Sequence, residues 1–301
     1  MVIEDQGASV LAKLKNKSKQ TGKSMQLHLQ LFCQEEFLRR LSLSKYANHL
    51  ILKGGLFIYT LTNFESRATI DVDFLLQDIA NNIDKIKEII SEILAVDTGN
   101  DFVEFTAIFF KVITPERKYT GISCQVIGKI KNTRTPFNID IGVGDVIVPN
   151  VEKRKIPVQI EGFDHPIINT YSLESTIAEK LDAILQRLEM TSRMKDFYDI
   201  YYLSLMYDFD GEKLKLAIKA TLDNRKTKYT KDSFIYVIEF KHNNEMIRKW
   251  KQYIKLLKLN NPTFTEIISQ LEVFLLPVWE SMINKNDFNC KWDKSINKWV
   301  K

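Results

Sequence analysis

The hydrophobic pattern of the chain changes period twice. Residues 9–14 open an amphipathic run. Over residues 25–43, Leu27, Leu29, Leu31, Phe32, Phe37, Leu38 and Leu41 recur near helical spacing, with Glu35, Glu36, Arg39 and Arg40 between them. A loop ending in Gly54-Gly55 turns into a short apolar helix, Leu56-Phe57-Ile58-Tyr59-Thr60-Leu61. The run Thr69-Ile70-Asp71-Val72-Asp73-Phe74-Leu75-Leu76 has strand length and strand composition, with Ile70, Val72 and Phe74 facing a core. Residues 82–96 are helical, their face built from isoleucines at 83, 86, 89, 90 and 93 and from Leu94. Between 102 and 161, β-branched and aromatic runs predict strands over 102–114, 119–130, 137–143 and 156–163, with short turns between them. From Ser172 onward the helical period returns, predicting helices over 174–188, 195–207, 211–221, 232–240, 244–257 and 265–283.

The pattern therefore predicts an α/β (α+β) protein. A mixed sheet with flanking helices occupies residues 1–168, and an all-helical C-terminal part over 169–301 completes the cleft. Neither an internal repeat nor a low-complexity linker interrupts it.

Composition narrows the function classes. With 301 residues, 45% hydrophobic and 27% charged, the chain has the make-up of an ordinary globular protein. No apolar run approaches a membrane span. Residues 1–6 lack the basic-then-apolar pattern of a secretory signal, so a cytoplasmic location is expected. Cys33, Cys124 and Cys290 are too few and too scattered for a disulfide framework or a zinc motif, and the four histidines lack metal-ligand spacing. Charge is unevenly placed. Residues 211–301 carry 18 Lys or Arg against 10 Asp or Glu, although the whole chain is only +5. Tyr229, Tyr236, Trp250 and Tyr253 lie among these bases. RNA is one reading of the stretch from Lys219 to Lys258; a solvated lysine-rich helical surface is the other.

Candidate chemistry begins with spacing. Asp71 and Asp73 share one face of their strand, because strand side chains alternate. Two adjacent carboxylates repel unless they share a cation, and a hard divalent ion carrying a substrate phosphate suits them. Lys53-Gly54-Gly55, sixteen residues ahead, opens a helix, where bare backbone N–H groups favour an anion. Taken singly, the glycines are a tight turn and the aspartates a solvated strand face; their order and spacing point to a nucleoside-triphosphate site. Asp140, in Asn138-Ile139-Asp140-Ile141, becomes a third carboxylate if its strand lies beside the D-x-D strand, with Asp145 as a competitor. Lys180 stands beside the apolar stripe of its helix, within reach of a phosphate or merely snorkelling at the surface. In Arg193-Met194-Lys195-Asp196-Phe197-Tyr198-Asp199, the two acids share a helix face and also suit a capped helix start, with Thr191 or Ser192 as the cap.

In this order the five segments resemble the AbiEii/AbiGii toxin family of bacterial nucleotidyltransferases. These are the toxin halves of type IV, abortive-infection toxin–antitoxin systems, related to the polymerase-beta-like superfamily. The resemblance spans roughly residues 1–210 and implies a nucleotidyltransferase-like fold. It implies Asp71 and Asp73 as metal ligands with Asp140 as the third carboxylate, and Mg2+ or Mn2+ as the ion. Gly54 and Gly55, with Lys53, become the phosphate-side turn. Lys180 is implied as the nucleotide-contacting lysine, and Asp196 as the acid of an R-x-K-D-x-x-D motif beside Arg193, Lys195 and Asp199. An NTP substrate, an RNA acceptor (the 3′ end of tRNA first), a cognate antitoxin and growth arrest are implied as well. The rivals are a metal-dependent ribonuclease, for which a triphosphate cradle has no use, and a catalytically silent nucleotide- or RNA-binding module, for which intact Asp71, Asp73 and Lys180 have none.

Overall fold

A computed structural model describes residues 5–69, 71–113, 120–257 and 262–301; Ile70, residues 114–119 and Lys258 lie outside them. The chain forms two compact units. One comprises Met1–Gly144 and Glu152–Tyr171, the other Asp145–Val151 and Ser172–Lys301.

The first unit contains helices α1 (Gln6–Thr21), α2 (Met25–Leu43), α3 (Gly54–Leu61) and α4 (Ile83–Leu94). Its strands are β1 (Leu50–Lys53), β2 (Asp71–Leu76), β3 (Val103–Ile113), β4 (Gly121–Ile130), β5 (Thr133–Gly142), β6 (Glu152–Lys155) and β7 (Ile167–Thr170). The strands make one mixed sheet in the order β3-β4-β5-β2-β1-β7-β6. Local signals set the helix starts: Ser24 accepts from the Leu27 amide and Asn82 from the Lys85 amide. Val72 and Phe74 are buried, as the strand period predicts. Phe37 of α2 packs its ring 6.0 Å from Phe74 and 6.4 Å from Phe137, pinning the helix to the centre of the sheet.

Three details depart from the pattern. The segment before Gly54 is not a loop but an interior strand, β1, too short at four residues for alternation to reveal it. The strand expected over 156–163 is absent. Pro157 cannot donate to a ladder, and Gly162 turns the chain at φ +93°. Gln159 there gives its amide to Glu35, and the strands fall on either side as β6 and β7. β6 reads Glu-Lys-Arg-Lys, a charged edge strand with no hydrophobic alternation to predict it.

The third departure concerns α2. The charged residues between its apolar positions are buried rather than solvated: Glu35, Glu36, Arg39 and Arg40 are all under 9% exposed. Glu36 takes Arg39 at 2.6 Å and Arg40 at 3.2 Å, together with Asn100 at 2.7 Å. Each charge is thereby compensated inside the core. Glu35 pairs with Arg39 at 3.5 Å and accepts from the Gln159 amide, yet is buried more deeply than these partners offset. Burial pushes its carboxyl up to about 7, against the opposing pull of Arg39 and the Gln159 amide.

The second unit is built from α5 (Leu173–Arg187), α6 (Met194–Met206), α7 (Gly211–Arg225), α8 (Ser233–Ile238), α9 (Asn244–Leu257) and α10 (Phe264–Asn284). Its helices fall where the 3.6 period predicts them. A small antiparallel sheet joins β8 (Phe209–Asp210), between α6 and α7, to the C-terminal strands β9 (Lys291–Asp293) and β10 (Lys298–Val300), in the order β10-β9-β8. Trp292 and Trp299 anchor it against Phe274 of α10 at 4.9 and 5.8 Å. Two- and three-residue strands carry no readable period, so only the helices were visible beforehand.

The elevated carboxyl of Glu35 makes stability depend on pH in a definite sense. Between pH 4.5 and about 7 the unfolded chain gives up this proton while the folded one keeps it, so stability falls as pH rises through that window. Glu35→Gln mimics the protonated form and is expected to flatten that fall, at most about 1.4 kcal/mol per pH unit. Urea midpoints measured from pH 4 to 8 for both proteins check it; identical profiles refute it.

Candidate active site

The first unit places the glycine turn directly on the second aspartate. β1 and β2 run antiparallel with Lys53 opposite Asp73, and α3 begins at the next residue, Gly54. Gly54 has φ +69°, where any side chain is strained. A Cβ added there would lie 2.1 Å from Asp73 Oδ2 and 2.8 Å from its Cβ. A Cβ at Gly55 would sit 2.8 Å from Thr69 Oγ1. Both glycines are therefore demanded by close packing, and the first by backbone conformation as well. No side chain caps the amides that start α3. Lys53 turns to Tyr171, its Nζ donating to the phenol oxygen at 3.2 Å and standing 4.8 Å from the ring centroid.

The acids gather through strand register. β5 lies beside β2 in parallel, with Asp140 opposite Asp73 and Asn138 opposite Asp71. Asn138 Nδ2 donates to Asp71 Oδ1 at 3.2 Å. Directly opposed residues on neighbouring strands share a face, so Asp71, Asp73 and Asp140 lie on the side of the sheet away from Val72, Ile139 and the core. Asp145, the competing third acid, belongs to the other unit, where Arg225 holds it at 2.8 Å. Among the described residues no group of three or more His, Cys, Asp or Glu side chains stands close enough together to hold a metal ion without further ligands. An open set of carboxylates, none of them soft, fits a hard cation that completes its shell with substrate phosphates. A cavity of about 530 Å³, lined by Arg39, Asn100, Lys153 and His165 among others, includes none of these acids.

In the second unit Lys180 is not a snorkelling surface residue. It is 8% exposed, and its Nζ lies 2.5 Å from Asp199 Oδ2 and 3.5 Å from Asp196 Oδ1. Arg193 closes on Asp196 in a fork, Nε to Oδ2 at 2.6 Å and Nη2 to Oδ1 at 3.2 Å. Asp196 and Asp199 are each 1% exposed. Asp196 sits in the first turn of α6 without capping it; Thr191 instead accepts from the Arg193 amide. Lys195, in the same motif, is exposed. Asp199, read beforehand only as a neighbour of the motif, is the closest partner of Lys180; its i, i+3 spacing from Asp196 was the available signal.

Part of the basic C-terminal stretch is neutralised within its own unit. Arg225 lies within 3.0 Å of Asp145, Glu179 and Asp182, with its side chain only 15% exposed. Burial works against its charge, yet those three acids hold it more firmly protonated than a free arginine. Asp182 also accepts from Thr227 and from Gln186 at 3.0 Å. Trp250 is buried among Tyr198, Tyr253 and Phe264 rather than presented to a base. Lys219, Lys226, Lys228 and Lys251 remain exposed.

A mixed sheet carrying a glycine turn packed on a strand-borne aspartate pair is the construction of a nucleotidyltransferase. Over residues 36–277 the chain matches the family described as nucleotidyl transferase AbiEii toxin of type IV toxin–antitoxin systems, and it belongs to that family. Its fold is similar to that of MenT4, a nucleotidyltransferase toxin from Mycobacterium tuberculosis H37Rv. That similarity covers 93% of this chain and 98% of that one, at 16% identity and a TM-score of 0.53. JHP933 from Helicobacter pylori aligns over 87% and 94% of the two chains at 14% identity, with a TM-score of 0.49. No curated protein sequence matches. Among the described residues no helix is long and apolar enough to cross a membrane.

Two outcomes follow from this geometry. Gly54→Ala should displace the Asp73 carboxylate and lower transfer by roughly a hundredfold or more, the scale of a misplacement of about 1 Å, with the circular dichroism spectrum retained. Undiminished turnover would show that the turn tolerates a side chain. Arg225→Gln, which leaves Asp145, Glu179 and Asp182 facing one another, should cost about 3 kcal/mol or more in urea unfolding; a change under about 0.5 kcal/mol would make the cluster mere surface pairing.

Proposed function

We propose that this nucleotidyltransferase toxin transfers a nucleotidyl group from an NTP to the 3′ end of an RNA, with tRNA as the acceptor, and that the modification arrests growth until a cognate antitoxin intervenes. The observation that carries the reading is the contact of Gly54 with Asp73. A phosphate-binding turn and a cation-binding acid would there form one piece, which suits a nucleoside triphosphate that arrives with its divalent ion.

In this reading Asp71 and Asp73 hold Mg2+ or Mn2+, with Asp140 as the third carboxylate. The ion, when bound, supplies charge neutralisation to the phosphates. The α3 amides after Gly54 and Gly55 take phosphate oxygens, and Lys53 lends them charge. Lys180, Arg193 and Lys195 serve the nucleotide. Asp196 and Asp199 act on Lys180 and Arg193, holding both cations in place through the buried pairs described above. In the transfer itself, the acceptor 3′-oxygen bonds to the α-phosphorus and the bridge to the β-phosphate breaks. Pyrophosphate leaves, and the hydroxyl proton passes to a carboxylate of the acid row.

The reading is tested by incubating the protein with each labelled NTP, Mg2+ and total bacterial RNA. A labelled tRNA band is expected with wild type and absent with Asp71→Asn or Asp73→Asn, both with unchanged melting temperature. Shortened RNA without incorporated label would identify a nuclease instead. Lys180→Ala is expected to lower transfer at least about a hundredfold, with Lys180→Arg restoring only part of it, since a guanidinium cannot occupy the ammonium's place between two buried aspartates. Full activity of Lys180→Ala at saturating NTP would reduce the lysine to a structural ion-pair partner.

A further inference from the structure

The acid face of the sheet does not end at β5. Register extends it across two more strands. Asp73 lies opposite Asp140, Asp140 opposite Ser123, and Ser123 opposite Lys111. In the next row Asp71 lies opposite Asn138, Asn138 opposite Gln125, and Gln125 opposite Phe109. Residues so opposed point to one side of a sheet, and neighbouring strands are about 4.8 Å apart, which sets Phe109 and Lys111 about 14 Å from the two aspartates. The other side of these strands holds Val126, Cys124, Ile139 and Val72, all buried.

Phe109 reaches the acid face through a defect in the ladder. Val103, Phe105 and Ala107 alternate onto the core side, and an unbroken β3 would send residue 109 there too. The register slips between Ala107 and Phe109, leaving Ile108 as the extra residue. Ala107 therefore opposes buried Val126, while Phe109 opposes exposed Gln125. A bulge re-aims side chains, and this one turns a large aromatic ring, 56% exposed, onto the polar side. Lys111 follows it, with Arg134 exposed further down the same face of β5.

We infer that this face is the acceptor track: a single-stranded segment of RNA crosses β5, β4 and β3, one base stacks on Phe109, and Lys111 takes an adjacent phosphate. The inference rests on the transfer reading above and locates the acceptor that it requires. A flat aromatic beside a lysine and an amide is the combination that grips single strands without reading them closely. Exposed Ile108 adjoins Phe109, but on the acid face its neighbours are polar, Gln125 directly opposite and Lys111 two residues on, which suits a nucleic-acid strand better than an apolar protein surface. The row from Asp71 through Asn138 and exposed Gln125 leads to Phe109, whereas Ser123, between Asp140 and Lys111, is buried.

The test is a fluorescence titration of the full-length protein with a labelled single-stranded oligoribonucleotide, alongside steady-state transfer kinetics. Phe109→Ala should weaken binding about fivefold to a hundredfold, the range of a lost base stack, and Phe109→Tyr should retain it. Lys111→Gln should flatten the salt dependence of the binding constant by a slope of about 0.7. In transfer assays Phe109→Ala should raise the KM for RNA and leave the KM for NTP alone. Unchanged affinity in a folded Phe109→Ala protein overturns the track. So does a Phe109→Ala protein that loses self-association in sedimentation while binding RNA as before, for the face would then be a protein interface. A wild type that binds the oligonucleotide through Phe109 yet labels no RNA defeats the transfer reading and leaves the track standing. A wild type that labels RNA indifferently to Phe109 defeats the track alone.

Discussion

Everything proposed for the first unit depends on one contact, that of a missing side chain with a carboxylate. Gly54 has no Cβ, so the end of β1 can lie against Asp73 at a distance no other residue permits. The antiparallel pairing of β1 with β2 sets the two opposite each other, and the parallel pairing of β2 with β5 brings in Asp140. The amides of the glycine turn and the row of acids are thereby placed by the sheet's own hydrogen bonds rather than by a separate loop. Sites built on regular elements hold their geometry more tightly than sites built on loops.

Both units enclose charge, and in each the enclosed charge is shared among several partners. Glu36 serves Arg39, Arg40, Thr98 and Asn100. Arg225 serves Asp145, Glu179 and Asp182. A buried pair is a poor way to gain net stability compared with apolar packing, but losing one member leaves the rest uncompensated. Such clusters penalise alternative arrangements of the same helices. Lys180 with Asp196, Asp199 and Arg193 follows the same design, placed where a long cation is to be kept in one position.

Much of this was legible in the sequence because it was periodic. Alternation puts Asp71 and Asp73 on one face, and helical spacing locates α4 to α10 to within four residues at each end. Asp140 was legible only conditionally, since no single strand states which strand it will neighbour. What stayed hidden was long-range or aperiodic. Glu35, Glu36, Arg39 and Arg40 look like a solvated helix face until the second layer closes over them. Arg225 looks like part of a basic patch, because its partners lie 80, 46 and 43 residues away and the charge sum of a segment is blind to them. The strands of the small sheet are too short for any period, and the bulge at Ile108 breaks the alternation that would have announced Phe109.

The division of the chain has a consequence for its synthesis. The polypeptide leaves the first unit after Gly144, deposits Asp145–Val151 in the second, returns for Glu152–Tyr171, and leaves again. On the ribosome, Asp145 emerges 80 residues before the arginine that will neutralise it. The sheet unit can be complete once Tyr171 is out, with the acids and the glycine turn already formed, while the lysine and its aspartates are still unassembled. Neither unit can be cut out as one continuous gene segment, so the two halves are inherited and lost together.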